Sequence, residues 1–141
     1  MNEITISQRH PLIDYIIPFF HYWIEDLEKV KSNWDLVNHL RKIKDDIDFD
    51  ILYNRDRMFT GGIPEWITDI LKTIKNTMHV FINTMFPISG KTRNTGQINT
   101  SRILRKNVTE RTINLLRKSL NDFESGPINE DTQPITLKEL L

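Results

Sequence analysis

The feature that most constrains this 141-residue chain is a break followed by a long periodic run. Gly61-Gly62 is the strongest punctuation in the sequence, and Pro64 follows it at a natural first-turn position with Glu65 beside the positive end of the coming helix dipole. From there Ile67, Ile70, Leu71, Ile74, Met78, Phe81, Ile82 and Met85 recur at three- and four-residue intervals until Pro87 stops them. Such a run makes a helix with one apolar face, and that face must be buried against other elements of the same kind. The stripe, methionines included, reads as core.

The rest of the chain supplies partners of matching character. Pro11 suits a helix start, and Ile16, Phe20, Trp23, Leu27 and Val30 repeat at helical spacing. Pro18 interrupts that pattern and predicts a kink or a fresh start. Ser32 or Asn33 caps a second helix with Leu36, Val37, Leu40, Ile43 and Ile47 inward. Beyond Asp48, the alternation Phe49, Ile51, Tyr53 is open between a helical continuation and a short extended piece. Residues 88–100 form a polar loop, and a last helix is expected over Ser101–Phe123 with Leu104, Val108, Leu115, Leu116, Leu120 and Phe123 inward. Asn107 with Glu110 has capping-box spacing and would split it, and Gly126-Pro127 ends it. The expected architecture is all-α, a compact bundle of four or five amphipathic helices with short loops. It comprises a single helical domain over 1–126 and a polar C-terminal tail, 127–141, docked at its apolar end, Ile135-Thr136-Leu137-Lys138-Glu139-Leu140-Leu141.

Composition narrows the function classes. Apolar residues make 38% and charged residues 27% of the chain, a globular balance, with 19 basic residues against 19 acidic. There is therefore no bulk electrostatic pull toward nucleic acid or an anionic membrane. Cysteine is absent, which excludes a disulfide framework, a thiolate zinc site and a thiol nucleophile. The first residues lack the basic and apolar regions of a secretory signal, and no stretch approaches the roughly 20 apolar residues of a membrane span. The expected location is the cytoplasm. Alanine is also absent while isoleucine and asparagine abound, as in AT-rich coding sequence. Intrinsic helix propensity is accordingly modest, and these helices must rely on burial of one face.

Fragments that resemble chemical motifs fail at their most demanding positions. Asp46, Asp48 and Asp50 have the one-three-five spacing of a calcium loop, but Ile51 stands where glycine is needed and Arg57 where the bidentate glutamate is needed. Ser89-Gly90-Lys91-Thr92 has the end of a phosphate-binding loop, but Met85 replaces its first glycine. His10, His21, His39 and His79 are too far apart to pair as helical ligands, and His21 is placed to meet Glu25 on a helix surface. No strained nucleophile turn is present. The sequence thus points to no catalytic residue, no metal site and no cofactor.

Two surfaces stand out instead. Trp23, Trp34 and Trp66 are candidate partner-binding anchors, because aromatic side chains dominate interaction hot spots, although each taken singly suits core packing as well. Lys91, Arg93, Arg102, Arg105, Arg111 and Arg117, with Lys106 and Lys118, make the stretch 91–118 basic against Glu110 alone. That stretch suits contact with nucleic-acid phosphates, or complementarity with the acidic region 25–50; the lack of interleaved stacking aromatics favours the latter.

From Glu110 the chain reads ERTINLLRKSLNDF, a polar loop, and QPITLKELL. Leu115, Leu116, Ser119, Leu120, Asp122 and Phe123, then Pro134, Ile135 and Leu137, resemble a recurring piece of the stem of axonemal dynein heavy chains. Over residues 110–141 that resemblance implies a scaffold segment without a nucleotide site. The expected function is a non-enzymatic helical interaction or scaffold module, such as a regulatory or assembly subunit of viral type, that binds a protein partner or itself. The alternative is a nucleic-acid-associated protein using residues 91–118.

Overall fold

A computed structural model describes residues 10–54, 62–86 and 98–126. Among the described residues four α-helices make the bundle: α1 (Pro11–Glu28), α2 (Asn33–Asp45), α3 (Glu65–Met85) and α4 (Arg102–Ser125). A π-helical segment, Asp46–Tyr53, continues α2 without a break. No strand occurs among the described residues. The fold is all-α, as the periodicity requires.

α2 lies along α3 and α1 along α4, with further contacts that close the two pairs onto one another. One core joins them. Ile16, Phe20, Trp23 and Leu27 enter it from α1, Leu36, Val37, Leu40 and Ile43 from α2, and Ile67, Leu71, Ile74, Met78 and Met85 from α3. These are the positions at which the sequence repeats its apolar residues. No helix among the described residues is long and apolar enough to cross a membrane.

The helix ends show why the segments start where they do. His10 accepts the Leu12 N–H through Nδ1, Ser32 accepts from Asp35 N and Ser101 accepts from Leu104 N, each satisfying a donor that the first turn leaves orphaned. Pro64 stands one residue outside α3 rather than within its first turn, and its carbonyl accepts from both Ile67 N and Thr68 N. Gly126 ends α4 at φ +85°, a conformation that costs glycine nothing and other residues a clash.

One local expectation is corrected and two open readings are narrowed. Pro18 does not start a fresh helix, since α1 runs through it for 18 residues. Pro18 is exposed, so the hydrogen bond it cannot give lies on the outer side of the helix, where water can replace it. Asn107 and Glu110 do not split α4. Both are exposed, while Val108 and Thr112 are buried across the expected break, and Thr112 Oγ1 donates to the Val108 carbonyl at 2.8 Å. Of the two courses open to residues 49–53, the chain takes the helical continuation.

The π geometry has a reason in the sequence. Ile43, Ile47 and Ile51 are spaced by four and all are buried. In an α-helix each four-residue step overshoots one turn, so a long run of such steps drifts off the core. In a π-helix the same step falls short of a turn, and the drift reverses. Changing winding at Asp46 keeps Ile51 in line with Ile43, while Phe49 and Tyr53 face outward.

Candidate interaction surface

The three tryptophans are separated by the fold into three environments. Trp23 is 2% exposed and belongs to the core. Its indole N–H donates to Asp46 Oδ2 at 2.8 Å, and its ring packs against Phe19 and Phe20. Trp66 is half-buried and tilts against Phe123, whose ring in turn meets Phe20 edge-on. Trp23 and Trp66 are thus joined through Phe20 and Phe123 in one internal aromatic chain. Neither lines a groove shared with Trp34.

Trp34 is different: it is 46% exposed at the start of α2. Its ring meets Phe86 edge-on with centroids 5.3 Å apart, and the Arg41 guanidinium lies over the same Phe86 ring at 5.5 Å. Trp34 and Arg41 are seven residues apart, two turns along one helix, so both reach the residue that ends α3. A quadrupole-matched edge contact and a cation over a ring face each hold their partners in a defined pose. The result is a small platform of one tryptophan, one phenylalanine and one arginine with Trp34 and Arg41 open to solvent. The i, i+7 spacing of Trp34 and Arg41 was visible in the sequence; nothing local pointed to Phe86.

A polar joint holds this end of the bundle. Asn33 is buried, and its amide donates to the carbonyls of Asn99 and Ser101 while its Oδ1 accepts from Arg105 Nη1 at 3.1 Å. Asn99 N donates to the Met85 carbonyl at 2.8 Å. One side chain therefore links the starts of α2 and α4, and Asn99, just ahead of α4, is pinned to the end of α3.

The basic stretch does not form one stripe. Arg102, Arg105, Lys106 and Arg117 lie toward the α1 side of α4, whereas Arg111 and Lys118, nine and sixteen residues from Arg102, fall about half a turn away around the helix. Arg105 is committed to Asn33, and Arg117 pairs with Glu28 at 3.1 Å. The latter is one real instance of complementarity between the basic stretch and the acidic region 25–50. Among the described residues Arg102, Lys106 and Arg111 have no polar partner. Lys91 and Arg93 lie outside the described residues, as does the tail 127–141.

The remaining titratable groups are dispersed. Asp46 takes Trp23 and Lys42, whereas Asp48 takes Lys75 at 2.8 Å, so the acidic run is divided between the bundle interior and α3. His10 caps α1, His39 lies 3.4 Å from Asp35, and His79 contacts Asn83. Glu25 pairs with Lys29, one turn ahead, in place of the expected His21. Among the described residues no three His, Asp or Glu side chains converge as a metal site would require.

No family model matches the chain, and no curated protein or solved structure matches it.

Proposed function

We propose that this chain is a non-enzymatic helical interaction module of the cytoplasm, and that its partner surface is centred on Trp34. The observation that carries the reading is the platform at the end of the bundle: an exposed Trp34 held against Phe86, with Arg41 over the same ring. Tryptophan and arginine are the residues most enriched at energetic centres of interfaces, and a pose fixed before binding lowers the entropy cost of association. The partner is a protein or a second copy of the chain. The scaffold role implied by the likeness of residues 110–141 to a dynein stem is of the same class.

The test compares the unaltered chain with Trp34→Ala and Arg41→Ala for self-association by sedimentation and for capture of protein from lysate. Loss of at least about 2 kcal/mol of binding on removing Trp34, at unchanged helicity, is the expected outcome for a hot-spot residue. Equal association of both variants and the unaltered chain overturns the reading.

The alternative, nucleic-acid association through 91–118, draws on the exposed and unpartnered Arg102, Lys106 and Arg111. It is favoured less because Arg105 and Arg117, on the same side of α4 as Arg102 and Lys106, are taken by Asn33 and Glu28, and Arg111 lies about half a turn away.

A further inference from the structure

Between the end of α1 and the first half of α4 runs an open groove of about 340 Å³. Leu27, Val30 and Ile113 give it an apolar floor, and Lys106 and Glu110 stand on its rim. These two rim charges are one helical turn apart yet do not pair with one another or with any other described residue. Thr109, which also lines the groove, has a buried Oγ1 without a hydrogen-bond partner. Thr112, three residues on, follows the usual course and returns its hydroxyl to the carbonyl one turn back. An apolar trough with unpaired charges and one unsatisfied hydroxyl has the character of a site lacking its occupant.

We infer that the occupant is residues 134–141 of the same chain, docked in cis along α4. Three arguments converge on this segment. The first is pattern: Pro134 suits a helix start, and Leu137, Leu140 and Leu141 then fall on one face at three- and four-residue spacing. The second is charge, since Lys138 and Glu139 beside that face complement Glu110 and Lys106. The third is reach. α4 ends at Gly126, and Ile113 lies thirteen residues back, about 20 Å along the helix axis. The eight residues from 127 to 134 span at most about 26–29 Å, enough to return to Ile113. From there an eight-residue helical segment covers about 12 Å, the length of α4 between Arg105 and Ile113. A second, smaller depression beside Ile70 and Leu115 is the competing site. Its remaining walls are Asp69, Thr73, Lys118, Ser119 and Asp122, so it offers a leucine face much less.

The absence of cysteine makes the test clean, because the two introduced thiols are the only ones in the chain. In the full chain, Lys138→Cys is combined either with Lys106→Cys at the groove or with Lys118→Cys at the competing site, and intramolecular disulfide formation is timed. Docking predicts that the 106–138 pair closes at least about tenfold faster than the 118–138 pair, because a held segment raises local concentration above that of a free linker. It also predicts that adding Leu137→Asp and Leu140→Asp brings the first rate down to the second. The idea is overturned if the two pairs close at similar rates, if 118–138 closes faster, if the aspartates change nothing, or if the product is a cross-linked dimer. Labelled single variants that retain the helicity of the unaltered chain exclude misfolding as the cause.

Discussion

The indole N–H of Trp23 donates to Oδ2 of Asp46 across 2.8 Å inside the bundle, tying the middle of α1 to the point where α2 changes its winding. Asp46 is only 8% exposed, and Lys42, four residues earlier, reaches the same oxygen at 3.3 Å. A buried indole N–H without an acceptor costs about 1–3 kcal/mol. Asp46→Ala is expected to destabilise the chain by that amount in urea unfolding. Asp46→Asn keeps an acceptor for Trp23 and gives up only the half-exposed contact with Lys42, so its cost is expected below about 1 kcal/mol. Equal losses in the two variants would show that the carboxylate charge, not the acceptor, is what Trp23 requires.

Asn33 gives a second separable pair of changes. Its amide serves two carbonyls and its oxygen serves Arg105. Asn33→Ala leaves all three groups without that partner and is expected to cost about 2–4 kcal/mol, several net hydrogen bonds at about 1 kcal/mol each plus a desolvation penalty. Asn33→Asp retains the contact to Arg105 and strengthens it by charge, but turns an acceptor toward the carbonyls of Asn99 and Ser101. Hydrogen exchange read at the start of α4 is expected to rise in both variants, and in Asn33→Asp to rise at Ser101 and Leu104 more than at the start of α2.

Phe123 joins the aromatic chain from both sides, meeting Phe20 at 5.6 Å and Trp66 at 5.9 Å. Phe123→Ala opens a cavity in the core and is expected to cost about 3–5 kcal/mol. Because Trp66 loses a ring neighbour while Trp34 does not, the emission change should come from Trp66. Repeating the substitution in a Trp66→Phe background is expected to remove most of that change.

These contacts mark how far the sequence could be read. The stripe from Ile67 to Met85 was legible because burial of one helix face leaves a period in the residues themselves, and the cap at Ser32 was legible because it is made three residues away. Trp23 with Asp46, Asn33 with Arg105, and Trp34 with Phe86 join residues 23, 72 and 52 positions apart, and no local pattern encodes such partners. Thr112 and Ser119 escaped for another reason. They are polar residues on the buried stripe of α4, and a reading that places only apolar residues inward passes over them. The unbroken course of α1 through Pro18 likewise depends on which side of the helix the proline faces, which tertiary packing decides.

The basic stretch of α4 separates a structural from a functional use of its arginines. Arg105 bonds a buried asparagine, whereas Arg111 is exposed and has no partner among the described residues. Arg105→Ala is therefore expected to cost about 1.5–3 kcal/mol, as for a hydrogen bond to a charged group, and Arg111→Ala less than about 0.5 kcal/mol. Arg117 pairs with Glu28 where both are more than half exposed, and its loss should fall below about 1 kcal/mol. If α4 instead lay on nucleic acid along the side that carries Arg105 and Arg117, Arg105→Ala and Arg117→Ala would each lower the salt dependence of binding by about one phosphate contact, and Arg111→Ala would not, whatever their effect on stability. A ranking of Arg105 far above Arg117 and Arg111 in unfolding, with no salt-dependent binding to single- or double-stranded DNA or RNA in any of them, is the outcome expected of an interaction module. Equal reductions in salt slope for Arg105→Ala and Arg117→Ala would instead assign that side of the helix to phosphates.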